Sequence, residues 1–98
     1  MNNDKSIAAF SYFHIEHEID YRGKFDIKTE YQITLYEDKV VTASHQFKLE
    51  NVLDMSYKLF SNNDSLLYLH TNQGVFTYKL NDEPVDFVNC FKQIKEKR

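Results

Sequence analysis

Tryptophan is absent from this 98-residue chain, cysteine and proline occur once each, and glycine occurs only twice. The single thiol, Cys90, has no partner within the chain, so no internal disulfide staples the fold; this usage fits a reducing compartment. So little glycine and proline excludes a collagen-like or linker-rich chain. No apolar run approaches the ~20 residues that a membrane helix needs, so no integral membrane segment is expected. The opening residues, Met1 to Lys5, carry no apolar signal-peptide stretch. These features make the cytoplasm the expected location. Positive charge is also short: 12 basic residues face 15 acidic ones, a formal net charge of −3. That balance repels phosphate backbones and removes nucleic acid from the expected partners. Neither a phosphate-cradling glycine loop nor a CxxC motif occurs.

What the chain does have is aromatic residues, seven Tyr and eight Phe among 98 positions. Phe and Tyr pack well on pleated surfaces, so this load points to a sheet-rich core. The length suits one small domain spanning 1–98, which buries about 60–65% of its unfolded surface. The bias toward Lys, Asn, Ile, Tyr and Phe is that of an AT-rich bacterial genome.

Apolar residues alternate from Ile7 to Leu80 and then change period. A repeat of two marks half-buried strands, and a repeat near 3.6 marks helix. The polar opening at 1–6 is expected to fray. Ile7 to Ile19 reads as a long strand with Ile7, Ala9, Phe13, Ile15 and Ile19 on its core face. Phe10, Tyr12, His14, Glu16, Glu18 and Asp20 then fall on the outer face. A turn at Tyr21 to Lys24 leads to the cleanest strand, with Phe25, Ile27, Thr29, Tyr31, Ile33 and Leu35 inward. Shorter strands follow at 39–44 and 47–49, then 52–61, where Leu53, Met55, Tyr57 and Leu59 share a face. Asn62, Asn63 and Asp64 form a strong turn signal. A hairpin with Gly74 at its turn joins 65–70 to 74–80. Phe87, Val88, Phe91 and Ile94 then recur at helical spacing, predicting a helix over 83–97. Asn81 or Asp82 is its expected N-cap, and Pro84 sits in its first turn, where the missing N–H is harmless.

The expected fold is therefore mostly β with one C-terminal helix. Seven or so antiparallel strands followed by one amphipathic helix resemble the pleckstrin-homology-like (PH-like) barrel. The resemblance is sharpest at residues 31–41, where Tyr31, Ile33 and Thr34 run along one strand that turns at Glu37 and Asp38. It extends to the apolar corner at residues 47–56, the hairpin around Gly74, and the Glu83, Pro84 and Phe87 helix start. It covers roughly 7–97 and implies a partly open barrel capped by the helix. Two departures stand out. Many PH domains carry a Trp in the closing helix, and here Phe91 takes that place. Phosphoinositide-binding members cluster basic residues about the first hairpin; here Arg22, Lys24 and Lys28 follow Glu16, Glu18 and Asp20. No phosphoinositide binding is expected.

For function, the reading is a non-catalytic binding module whose partner is a protein or a second copy, as in a homodimer. Phe10, Tyr12 and His14, placed on the outer face of the first strand, are the expected partner surface. PH-like folds also offer a groove between a sheet edge and the closing helix, where an extended peptide adds as a strand. Val85, Asn89 and Lys92 are its candidate lining. The alternative is a small β-barrel that binds an apolar ligand or performs simple acid–base chemistry with His14 or Glu16 turned into a cavity. His14 and His17, three apart on a strand, point to opposite faces and cannot share a metal without a bulge. Cys90, beside the helical stripe, reads as a small core residue rather than a nucleophile. No catalytic residue, metal or cofactor is expected.

Overall fold

The computed structural model describes residues 5–97. Seven antiparallel strands form one sheet in the order β4-β3-β2-β1-β7-β6-β5, and one helix follows them. They are β1 (Ala8–Asp20), β2 (Gly23–Leu35), β3 (Lys39–Val41), β4 (Gln46–Lys48), β5 (Val52–Leu59), β6 (Ser65–Thr71) and β7 (Gly74–Leu80); the helix α1 is Val85–Glu96. Strands β4 and β5 end the sheet, which therefore curls into a partly open barrel. Helix α1 packs on β1 and β5 and caps it. The expectation of fraying falls mostly on residues 1–4, outside the described residues; Lys5 and Ser6 are exposed.

Turn chemistry fixes the hairpins. Asp20 and Gly23 close a two-residue turn of Tyr21 and Arg22. The Asp20 carboxylate accepts the Arg22 backbone N–H at 2.7 Å and its guanidinium at 2.7 Å. Gly23 has φ +117°, a conformation that L side chains rarely adopt. The β6–β7 turn repeats the device, with Gly74 at φ +122° and the Thr71 hydroxyl donating to its carbonyl at 2.8 Å. Between β5 and β6 the left-handed residues are Asn62 and Asn63, at φ +65° and +67°. Asn tolerates that region best after Gly.

The barrel interior is filled by side chains from every element. Ile33, Leu35, Val40, Leu49, Val52, Met55, Leu67 and Leu69 are wholly buried, and Phe87, Val88 and Phe91 of α1 close the layer. Strand β6 shows the clean alternation of a strand with one face on a core, Ser65, Leu67, Leu69 and Thr71 inward. Several boundaries differ from the sequence reading: β5 ends at Leu59 rather than 61, and the helix spans Val85–Glu96 rather than 83–97. Strand β3 stops at Val41, because Thr42 turns its hydroxyl onto the His45 backbone. The residue before α1 is Pro84, with no side-chain cap; Asp82 instead accepts the Glu83 N–H at 2.8 Å.

The larger correction concerns β1. Its core face is Ala8, Phe10 and Tyr12, not Ile7, Ala9 and Phe13. Tyr12 is 7% exposed, whereas Ile7 is 44% and Ile19 73%. The reason is register. Directly opposed residues share a face, and Ala8, Phe10 and Tyr12 oppose Leu35, Ile33 and Tyr31. Strand β2 keeps its predicted inward face at Ile33 and Leu35, whereas Ile27, Thr29 and Tyr31, also expected inward, are exposed where the strand leaves the barrel. A two-residue turn then sends the even residues of β1 inward.

Beyond Tyr12 and Tyr31 the hairpin leaves the barrel. Strand β1 pairs with β7 at one position, Phe13 opposite Lys79, and β3 covers only Thr34 and Leu35 of β2. Residues 14–32 therefore form a two-stranded ribbon with Ile27 and Tyr31 partly exposed on one face. The molecule measures 54 × 35 × 24 Å.

Candidate functional site

The sheet edge at β5 and the flank of α1 run side by side. At one end the Tyr57 hydroxyl donates to Glu83 at 2.7 Å; at the other, Lys95 Nζ donates to the Leu49 carbonyl at 3.1 Å. Glu83 precedes α1 and Leu49 precedes β5, so helix and strand are antiparallel. Lys95 marks the helix flank that faces β5. Lys92 lies about one turn before it, and Val85 and Asn89 lie further round toward the face opposite the buried Phe87, Val88 and Phe91. All three are exposed, while Ile94 and Lys97 line a depression with Ile7.

Strand β5 pairs only with β6. The Phe60 N–H donates to Asp64 on the β6 side, which fixes the parity: even residues of β5 aim their backbone at β6, and Met55, Tyr57 and Leu59 aim theirs at the open edge. The pairing slips between Val52 and Asp54, a bulge that throws Leu53 out to 62% exposure. Leu53 thus departs from the face it was expected to share with Met55 and Tyr57. The open edge of β5 offers backbone donors and acceptors beside the exposed Leu59, and α1 exposes Val85 and Lys92. Glu83 holds the Tyr57 phenol above its ordinary pKa, chiefly by accepting its hydrogen bond. This bond ties the end of β5 to the segment that precedes α1.

Comparison with known proteins returned nothing. No family model, curated protein or solved structure matches the chain.

The other sequence candidates scatter. Phe10 packs edge-on against Phe87, with centroids 6.4 Å apart, and Tyr12 against Tyr78 at 4.9 Å. The Tyr12 hydroxyl accepts the Ala43 N–H at 3.0 Å. Both aromatics are core residues, and the partner surface expected from them is not presented to solvent. His14 stands apart on the ribbon, 3.8 Å from Glu16, with their side chains 61% and 60% exposed. Neither residue lines the cavities beside Phe13 and Ile15. His17 lies on the opposite face, 2.6 Å from Asp26. Among the described residues no group of three or more metal-ligating side chains converges, and no helix is long and apolar enough to cross a membrane. Cys90 is half-buried against the core.

Met55, Tyr57 and Leu59 were readable as a strand face but not as an edge. Edge position depends on which strands pair across the sheet, and nothing local to residues 52–59 records that. The bulge at Leu53 likewise had no signal beyond the pairing itself.

Proposed function

We propose that this chain is a non-catalytic, PH-like interaction module that binds an extended protein segment along β5, beside α1. The observation that carries this reading is the edge position of β5, with α1 packed on that strand and Val85, Asn89 and Lys92 exposed on the helix. Met55, Tyr57 and Leu59 would supply main-chain hydrogen bonds, which give strand addition its affinity, and the helix flank would read alternate side chains. The strand order, with two meanders closed by one C-terminal helix, supports the family resemblance. A cytoplasmic, bacterial setting remains part of the proposal.

Panning a random peptide library against the whole chain, followed by backbone NMR, tests it. Selected peptides should shift the amides of Met55, Tyr57 and Leu59 together with those of Val85, Asn89 and Lys92. Lys92→Glu and Val85→Arg should weaken them without disturbing the fold. Binders that map elsewhere, or that ignore both substitutions, would overturn the assignment of the site.

A further inference from the structure

We infer that the β1–β2 ribbon is a dimerisation arm, in which β2 pairs antiparallel with β2 of a second copy about a two-fold axis through Ile27. The inference stands apart from the β5 groove and uses none of its residues.

The first ground is an unfilled edge. Tyr36 N–H donates outward to Lys39 of β3, while the Leu35 carbonyl accepts from Ile7 on the β1 side. Register between β1 and β2 is unbroken to the turn, so the even residues of β2 turn their backbone groups outward along the ribbon. Strand β3 meets β2 only at Thr34 and Leu35. The backbone groups of Lys24, Asp26, Lys28, Glu30 and Gln32 therefore face an edge without a strand. A two-stranded ribbon beyond its core is marginal in water, and a third and fourth strand would complete it.

The second ground is charge. Lys24, Asp26, Lys28 and Glu30 alternate in sign on one face of that edge, and all are exposed. Across from them on β1 stand Ile19, His17, Ile15 and Phe13. An alternating row of four is complementary to its own reverse. Centred on Ile27, Lys24 meets Glu30 of the partner subunit and Asp26 meets Lys28 of the partner subunit. On the other face Ile27, 39% exposed, meets its own copy. Other registers fail. Centring on Asp26 sets Lys24 against Lys28, and centring on Lys28 sets Asp26 against Glu30. Centring on Phe25 brings Arg22 onto Lys28. Centring on Thr29 drives Lys24 into Thr34, whose edge β3 already holds. In the Ile27 register the tip of each ribbon ends at Gln32 of the other, just short of β3. Second copies fit the length of the open edge as well as its charge.

Light scattering on the full chain should find a dimer. Lys28→Glu sets two acids against each other across the axis, and Asp26→Lys sets two lysines. Each variant alone should dimerise about tenfold more weakly, or worse, with unchanged circular dichroism. Mixed in equal amounts they restore every opposite-sign pair, and the dimer should return. Cysteine chemistry reads the register. A non-hydrogen-bonded antiparallel pair brings its Cα atoms to about 4.5 Å, within disulfide reach. In a Cys90→Ser background, Ile27→Cys should therefore cross-link to itself. Phe25→Cys and Thr29→Cys should cross-link to each other and not to themselves. A wild type that stays monomeric at its highest soluble concentration overturns the inference. So does a mixture no more dimeric than either variant, or cross-linking that ignores position.

Discussion

Tyr78 is the residue with the least comfortable surroundings. Its ring is buried against Tyr12, yet its hydroxyl is enclosed with no well-formed hydrogen bond. Burial raises the phenol pKa, and a contact with Thr42, too poor in geometry to count as a bond, opposes that only in part. An enclosed hydroxyl without a partner costs about 1–3 kcal/mol, so deleting it should not hurt. Tyr78→Phe is expected to be neutral or to raise stability by up to ~1 kcal/mol in denaturant titration; a loss of that size would reveal a partner for the hydroxyl. Tyr57 differs in having a partner for its hydroxyl. Its folded pKa lies above the ordinary value, so the protonated phenol is favoured by the fold. The contribution of its bond to Glu83 is complete below about pH 10, the ordinary tyrosine value, and is lost as pH rises through the higher folded value. The phenolate absorbance difference between wild type and Tyr57→Phe should show a late titration. Glu83→Gln should return it toward the ordinary range, and an unmoved titration would mean that Glu83 is not the cause.

Helix α1 is the element on which the barrel depends most. Phe87 and Phe91 are 2% and 1% exposed, and Phe10 packs onto Phe87 from the strand beneath. Truncating a core Phe costs about 3–5 kcal/mol. For a domain this small Phe91→Ala should lower the calorimetric midpoint by about 15 °C or more; a shift of two or three degrees would show that the helix is ornamental. This much was legible in the sequence, because four apolar residues at helical spacing after a proline admit few other readings. Strand β1 was legible only in part. Ala8, Phe10 and Tyr12 compete with Ile7, Ala9, Phe13 and Ile15, so both faces of its first half are apolar and alternation alone cannot choose. The choice lies in the hairpin. Strand β2 has one unambiguous face at Ile33 and Leu35, and a turn with an even number of residues sets the odd residues of β2 against the even residues of β1. A single-residue error in turn length inverts every side chain of the strand. The β5 edge and its bulge were illegible for a different reason, since both are properties of pairing between distant segments.

At the scale of the whole molecule the chain is long for its mass. Its radius of gyration is 15.3 Å, where about 12.5 Å is usual for 98 residues. Its accessible surface is 6872 Å², against about 5900 Å² for a compact chain of 11.7 kDa. The ribbon that extends beyond the barrel contributes to this length, and its charge bears on membranes. Of the cations near the first turn, Arg22 is tied to Asp20 and Lys28 lies over the Phe13 ring at 4.3 Å. With a net charge of −3, the chain should not co-sediment with phosphoinositide-bearing vesicles at physiological salt. Saturable binding that weakens in Arg22→Ala and Lys24→Ala would contradict this.

The single paired position between β1 and β7, Phe13 opposite Lys79, also bears on how the chain reaches its fold. On either side of that seam lies a meander of neighbouring strands, β1 to β4 and β5 to β7, each built from contacts short in sequence. Such units close cheaply, because little loop entropy is lost before the first contacts form. Joining them is the costly event. It needs Tyr12 and Tyr78 to meet across more than sixty residues, with α1, which follows both halves in sequence, packing on β1 and β5. The barrier should therefore sit at the joining of two formed halves. Substitutions at the seam should slow folding, whereas substitutions within the ribbon should leave that rate untouched.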